Sequence, residues 1–405
     1  MTLVRAPVNQ EVLRWAREEA GLGLGDASKK LGVRQERLTA WEEGTLKPTV
    51  GQLRKLADVY WRTPAFFFLR ELPEPDLLTV PDYRAPNKQK RMSFELRRQL
   101  RECAQRREWL MELEGPGEPS QLLTVPTRDP QQAATYIRQL LGVSIHDQKG
   151  SRNNYEMLHL WIDSIENQDI LVFQSSRFPI EEARGVSLSY QRLPFILLNG
   201  KDAPAGKIFT LLHELFHLMK GDGGLCDYSA DIDEKPLCDN APQHSRNDLR
   251  RRGRELVVGE RRGHEERLCD RFAAALLMPS EHVEAEQVEK IAATSNVYDT
   301  IHWLVKTFKV SELVATIRLC ELGFATQADV NEARLRMEAA TRGRHRRGGG
   351  PPYAATRLRD VGNRYASAVV DAYELNRISL TEVSEFLGTK LRHLPDIEAR
   401  IRLRV

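Results

Sequence analysis

Phe209-Thr210-Leu211-Leu212-His213-Glu214-Leu215-Phe216-His217-Leu218-Met219 is the stretch from which the rest of the chain is read. Its apolar content and the stop at Gly221 predict a helix from about Lys207 to Lys220. Residues four apart share a helix face, so His213 and His217 present two imidazoles to one point. That is half of a tetrahedral metal site. Glu214, one step round, can reach a metal-bound water without ligating the metal. Ile208, Leu211, Leu212, Leu215, Phe216 and Leu218 make the remainder apolar, so a buried helix carries polar groups that must be satisfied. A core helix with two hydrogen-bonded histidines is the plainer alternative, yet ordinary residue frequencies give only about 0.02 chance matches to His-Glu-x-x-His in such a chain.

A second stretch, Glu265-Glu266-Arg267-Leu268-Cys269-Asp270-Arg271-Phe272-Ala273-Ala274-Ala275-Leu276-Leu277-Met278, reads as another helix, ended before Pro279. Glu266 and Asp270 are four apart on its face. One supplies a third ligand, and the other accepts the free N–H of a ligand histidine and fixes its tautomer.

Together these stretches resemble the bacterial ImmA/IrrE metallopeptidases, and Arg184-Gly185-Val186-Ser187 and Pro194 to Asn199 are similar to the strands before the metal helix in that family. The resemblance spans about residues 135 to 322. It implies His213, His217 and Glu266 as ligands of Zn2+, Glu214 as general base and Asp270 as the outer partner. Cys269 replaces the alanine usual in that family, a small-for-small exchange. Mn2+ or Fe2+ also suit two histidines and a carboxylate.

The chain has 405 residues, 60 Lys and Arg against 57 Asp and Glu, and a net charge of +3. Length allows two or three domains, and any basic surface is local. No apolar run approaches the roughly 18 residues of a membrane span, and the N-terminus lacks a signal peptide's apolar core. Cys103, Cys226, Cys238, Cys269 and Cys320 are scattered and predict no disulfide framework, which points to the cytoplasm.

Residues 8 to 60 read as four short helices. Ala27 to Leu31, the Gly32-Val33 turn and Arg34 to Glu43 form helix, tight turn, helix. The run from Ala27 to Thr49 resembles the XRE/Cro-type repressor domain. Arg34, Gln35, Arg37 and Thr39 are the solvent-side residues best placed to reach double-stranded DNA, while Glu36, Glu42 and Glu43 put acid on or beside that helix. Docking onto a related repressor is the competing use of the module. Phe66-Phe67-Phe68 is expected to pack the fourth helix against the next domain. Prolines then mark a connector, and a charged helix over 93 to 114 serves as a spacer or in a homodimer.

The expected architecture is multidomain and mainly α. An all-α helix-turn-helix domain (1–72) and a connector with a long helix (73–127) precede an α+β zincin-like metallopeptidase domain (128–340). A basic Gly/Pro linker (341–352) and a C-terminal helical segment (353–405) follow. Strands are predicted over 170–173, 186–189 and 195–199, with 185–189 as a free edge for substrate. The insert from Asp222 to His264 is polar and rich in arginine. Its Cys226 and Cys238 are too far apart for a structural zinc module, and Tyr228 and His244 are chemically able to stabilise an oxyanion without being assigned to it.

The function that the family resemblance implies is site-specific endoproteolysis of a transcriptional repressor, a separate XRE-type protein or the chain itself near residues 70–90 or 342–352. From a different class comes a DNA-binding regulator that uses the zincin fold for sensing or docking without turnover. The presence of Glu214 beside a full ligand set argues for the enzyme.

Overall fold

The computed structural model describes residues 4–72, 92–127, 129–221, 225–226, 254–283, 297–342 and 351–402. They fall into two compact units, one up to residue 104 and one from 105 onward, and both are mainly helical. Most of the expected self-cleavage connectors and of the basic linker, with Tyr228, His244 and Cys238, lie outside the described residues.

The first unit contains α1 (Gln10–Glu19), α2 (Leu24–Leu31), α3 (Gln35–Glu42) and α4 (Val50–Tyr60). Asn9 caps α1, and Thr49 and Gln52 form a capping box on α4, satisfying N–H groups that the helices leave unpaired. Gly32 ends α2 in the left-handed conformation that turns the chain into α3. Leu13, Ala16, Leu38, Trp41, Leu56 and Tyr60 form the centre of the core. The aromatic run does not serve a following domain as expected. It forms a short turn (Pro64–Phe68), with Phe67 buried beside Tyr60 and Phe66 against Trp15 at 5.8 Å, so it closes this unit's own core.

Glu42 also departs from expectation, because it faces inward. Arg17 grips it with Nε–Oε1 at 2.7 Å and Nη2–Oε2 at 2.9 Å, and both residues are buried. The acid left exposed around α3 is that of Glu36 and Glu43. α5 (Phe94–Glu114) has no free apolar side either. In the first unit Leu96, Leu100 and Cys103 are buried, and Arg97 and Arg101 donate to the carbonyl of Glu19. In the second, Leu110 is buried, and Trp109 packs against Tyr365 and Phe386.

The second unit runs through α6 (Pro130–Leu141), α7 (Ile145–Gly150) and α8 (Asn154–Glu166) into a small sheet. Strands β1 (Leu171–Ser175), β2 (Gly185–Leu188), β3 (Phe195–Asn199) and β4 (Leu225–Cys226) lie in the order β1-β3-β2-β4. β1 and β3 are parallel, and β2 is antiparallel to both its neighbours. β2 is therefore not a wholly free edge, since Leu225 and Cys226 pair with Val186 and Gly185. Next come α9 (Pro204–Lys220), α10 (Arg254–Leu277), α11 (Val297–Phe308), α12 (Glu312–Glu321) and α13 (Gln327–Arg342). α9 packs against β2 and β3 on one side and α8 and α10 on the others, and every residue from Lys207 to Leu218 is buried. α10 starts earlier than expected, and α13 was not anticipated. Cys103 and Cys269 are free, and Cys320 is disulfide-bonded, a single cross-link that the scatter of the cysteines did not signal.

The C-terminal segment comprises α14 (Tyr353–Val361), α15 (Asn363–Glu374), α16 (Leu380–Phe386) and α17 (Leu394–Arg402). α14 and α15 pack on β1, so the segment belongs to the second unit. The elbow between them is Gly362, with φ of 82° and no room for a side chain, since a Cβ would sit 2.8 Å from the carbonyl of Val172. Beside it the buried Glu166 carboxylate accepts the N–H groups of Val172 and Arg364. Burial first, and Asp163 second, push its pKa up to about 8.

Two expectations follow. Glu42→Ala leaves the Arg17 guanidinium buried without its partner and should destabilise the first unit by about 3–5 kcal/mol, read as lost amide-exchange protection over residues 10 to 60. A carboxyl whose pKa rises on folding favours the native state below its ordinary value near 4.5 and loses that contribution as pH climbs to about 8. Glu166→Gln should therefore be increasingly more stable than wild type between those values and then hold a constant advantage, measured by denaturant unfolding across pH.

Candidate metal centre

α9 is built to be buried. Pro204 occupies its first turn, Gly221 ends it in the left-handed conformation, and apolar residues cover all of its faces except the polar strip. On that strip His213 and His217 meet Glu266 from α10. His213 Nε2 lies 3.2 Å from Glu266 Oε2, His217 Nε2 lies 3.5 Å from Glu266 Oε1, and the two Nε2 atoms are 3.3 Å apart.

Four ligands held about 2.0–2.1 Å from a zinc ion stand roughly 3.4 Å apart at the corners of a tetrahedron. The three separations here are of that size, and two ring nitrogens facing each other share no useful hydrogen bond if both carry lone pairs. The set suits a cation with nitrogen and oxygen preference. Glu266 is its most accessible member, with 16% of its side chain exposed against 3% and 0% for the histidines.

Asp270, one turn on from Glu266, lies with Oδ1 at 2.8 Å from His213 Nδ1. A proton held there leaves the Nε2 lone pair toward the donor cluster. Burial opposes charge on His213, but Asp270 and Glu266 outweigh it and raise the ring's pKa well above its ordinary value. Burial likewise opposes charge on Glu266, yet hydrogen bonds from the two histidines hold its carboxyl well below the carboxylate range.

Glu214 is fully buried, and its pKa is raised chiefly by that burial. Ser187 Oγ donates to Glu214 Oε2 at 2.7 Å, while Oε1 has no hydrogen-bond partner among the described residues. Sequence reasoning missed Ser187, although alternation along Gly185-Val186-Ser187-Leu188 puts residues 185 and 187 on one face of β2. Gly185 shares the contact, because a Cβ there would meet Thr210 Cγ2 at 2.5 Å and Glu214 Cγ at 3.0 Å. The strand lies against the polar strip only because this residue has no side chain. Cys269 was passed over as a spacer, but its sulfur belongs to a buried group with His213 and His217 whose possible ligand atoms all lie within 4.8 Å. Glu266, the third donor implied by the resemblance, stands 3.2 and 3.5 Å from the two histidine nitrogens.

The residues singled out for DNA lie together at the start of α3. Arg34 is its N-cap, Arg34, Gln35 and Arg37 are exposed, and Thr39 is half-buried, while Leu38 and Trp41 turn into the core. Among the described residues no helix is long and apolar enough to cross a membrane.

Comparison with known proteins agrees with both units. Residues 165–320 match the family model of the IrrE N-terminal-like domain, Peptidase_M78, and residues 13–67 match a helix-turn-helix family model. No curated protein and no solved structure matches the chain significantly. The matched regions include the whole polar strip of α9 with its partners on α10, and the whole of α2 and α3. The chain thus joins an N-terminal XRE-type helix-turn-helix domain to a peptidase-family domain of the ImmA/IrrE type.

Proposed function

We propose that the chain is a cytoplasmic zinc-dependent endopeptidase that cleaves a transcriptional repressor of the XRE type, with its helix-turn-helix domain bringing it to DNA or to that repressor. The convergence of His213, His217 and Glu266 beside a buried, half-satisfied Glu214 carries this reading. Zinc held by His213, His217 and Glu266 would supply a water of lowered pKa and would polarise the carbonyl under attack. Ser187 holds one oxygen of Glu214 and leaves Oε1 to take the proton of the attacking water and return it to the leaving nitrogen. Asp270 keeps His213 in one tautomer and one orientation. Two histidines and a carboxylate would also accept Mn2+ or Fe2+, which metal analysis distinguishes.

The wild-type chain should carry about one zinc, and His217→Ala and Glu266→Ala should lose it. Glu214→Gln should keep the metal and lose about 10²–10⁴-fold in cleavage rate. Ser187→Ala should keep the metal and lose less. Substrates are found by sequencing new protein termini in cells that express wild type or Glu214→Gln. Termini within XRE-type repressors, or within this chain, that appear only with wild type support the reading. A wild type free of metal, or a Glu214→Gln chain that cleaves as well as wild type, sinks it.

For the first unit, Arg34→Ala and Arg37→Ala should each weaken binding to double-stranded DNA and reduce the salt slope by about one. Titrations of labelled duplex at several salt concentrations test this. A chain with no salt-dependent DNA affinity would use the module for protein docking instead.

A further inference from the structure

The C-terminal segment has no part in the metal centre, yet it closes a cavity of about 790 Å³ within the second unit. The start of α9 and the loop before it contribute Lys201, Asp202, Pro204 and Lys207 to its lining. Thr356 and Arg359 of α14, Arg400 of α17, and Tyr155 and His159 of α8 line it as well. Val172 and Gln174 of β1 are part of the lining, as is Leu158 of α8. The volume lies in the range of pockets that hold small molecules.

The lining holds four cationic side chains, Lys201, Lys207, Arg359 and Arg400, against the single carboxylate of Asp202. That carboxylate is engaged, with Arg184 Nη1 at 2.8 Å and the N–H of Ala203 on its other oxygen. Lys207 is nearly buried and donates to the amide oxygen of Gln174 at 3.0 Å. Lys201 donates to the carbonyl of Phe178, a bond that satisfies its ammonium without cancelling its charge. Arg359 pairs with Asp360, which does not line the cavity. The positive end of the α9 dipole is already faced by the Asp202 carboxylate, whose oxygens lie 2.7–2.8 Å from where a Cβ on Gly206 would be. Leu158, Ile162 and Val172 give the lining an apolar part.

We propose that this cavity is a binding site for a phosphorylated small molecule with a flat apolar body, of nucleotide size. The four cationic side chains of the lining suit a phosphate, and its apolar residues Leu158, Ile162 and Val172 suit the face of a base. This assignment stands apart from the metal chemistry and does not depend on it.

The test is calorimetric titration of the full chain with ADP, AMP, inorganic phosphate and adenosine. ADP or AMP should bind at one site per chain, adenosine and phosphate at least tenfold more weakly. Arg400→Ala and Lys201→Ala, at positions not buried in the core, should each weaken nucleotide binding by tenfold or more while leaving the thermal unfolding midpoint of the unliganded chain unchanged. Arg152→Ala, outside the cavity, should bind as wild type. Equal affinity for phosphate and nucleotide would overturn the proposal in favour of a bare anion site, as would no binding by either nucleotide, or nucleotide binding untouched by both substitutions.

Discussion

A helix packed on every side has no water to offer its polar groups, and α9 carries two histidines and a glutamate into that position. Left alone, each would cost several kcal/mol. The fold answers by bringing one partner for each from elsewhere: Asp270 for one imidazole nitrogen, Glu266 for the facing nitrogens and Ser187 for one oxygen of Glu214. Strand β2 and helix α10 are fixed by these contacts as much as by apolar packing. The apolar residues around them, from Leu211 and Leu215 to Phe216 stacked on Phe272, set the low polarity in which those contacts are strong.

A similar logic anchors the C-terminal segment. Glu166 sits at the end of α8 and gathers N–H groups from β1 and from α15, across an elbow that only glycine can make. Asn363 adds a bond to Asp163, and Arg364 pairs with Asp169 and Glu114. The segment is tied to the second unit through polar atoms at α8 and α5, and through Tyr365 and Phe386 around Trp109. In the first unit the buried Arg17–Glu42 pair plays the corresponding part between α1 and α3.

Much of the site was legible because helical spacing is a local property. His213, Glu214 and His217 lie within one turn or so of each other, and Glu266 and Asp270 repeat the interval, so the sequence alone places each set on one face. The pairing between the two sets, with Asp270 on His213 Nδ1, is long-range and rested on resemblance. Ser187 and Gly185 were harder, because small residues in a strand give no chemical signal until the strand is seen against the helix it touches. Glu42 misled for the opposite reason. A charged residue at the end of a helix reads as solvated, and only the approach of Arg17 from another helix turns it inward. The aromatic run was misassigned likewise, since nothing in Phe66-Phe67-Phe68 says which core it completes. The disulfide of Cys320 had no local signature either, as cysteine spacing does not encode which thiols meet.

The donor set has a consequence for how the second unit acquires its structure. His213 and His217 come together as soon as one helix forms, on the timescale of local events. Glu266 arrives from α10, after a long stretch of chain, and its meeting with the histidines is a non-local closure of the kind that slows folding. A metal taken up early would be held by two nitrogens and water, loosely and reversibly. On the function proposed above, firm capture waits for α10, and an incomplete nascent chain would carry the His-Glu-x-x-His helix without the means to retain an ion. Hydrolytic competence would in that sense be withheld until synthesis has passed the second helix.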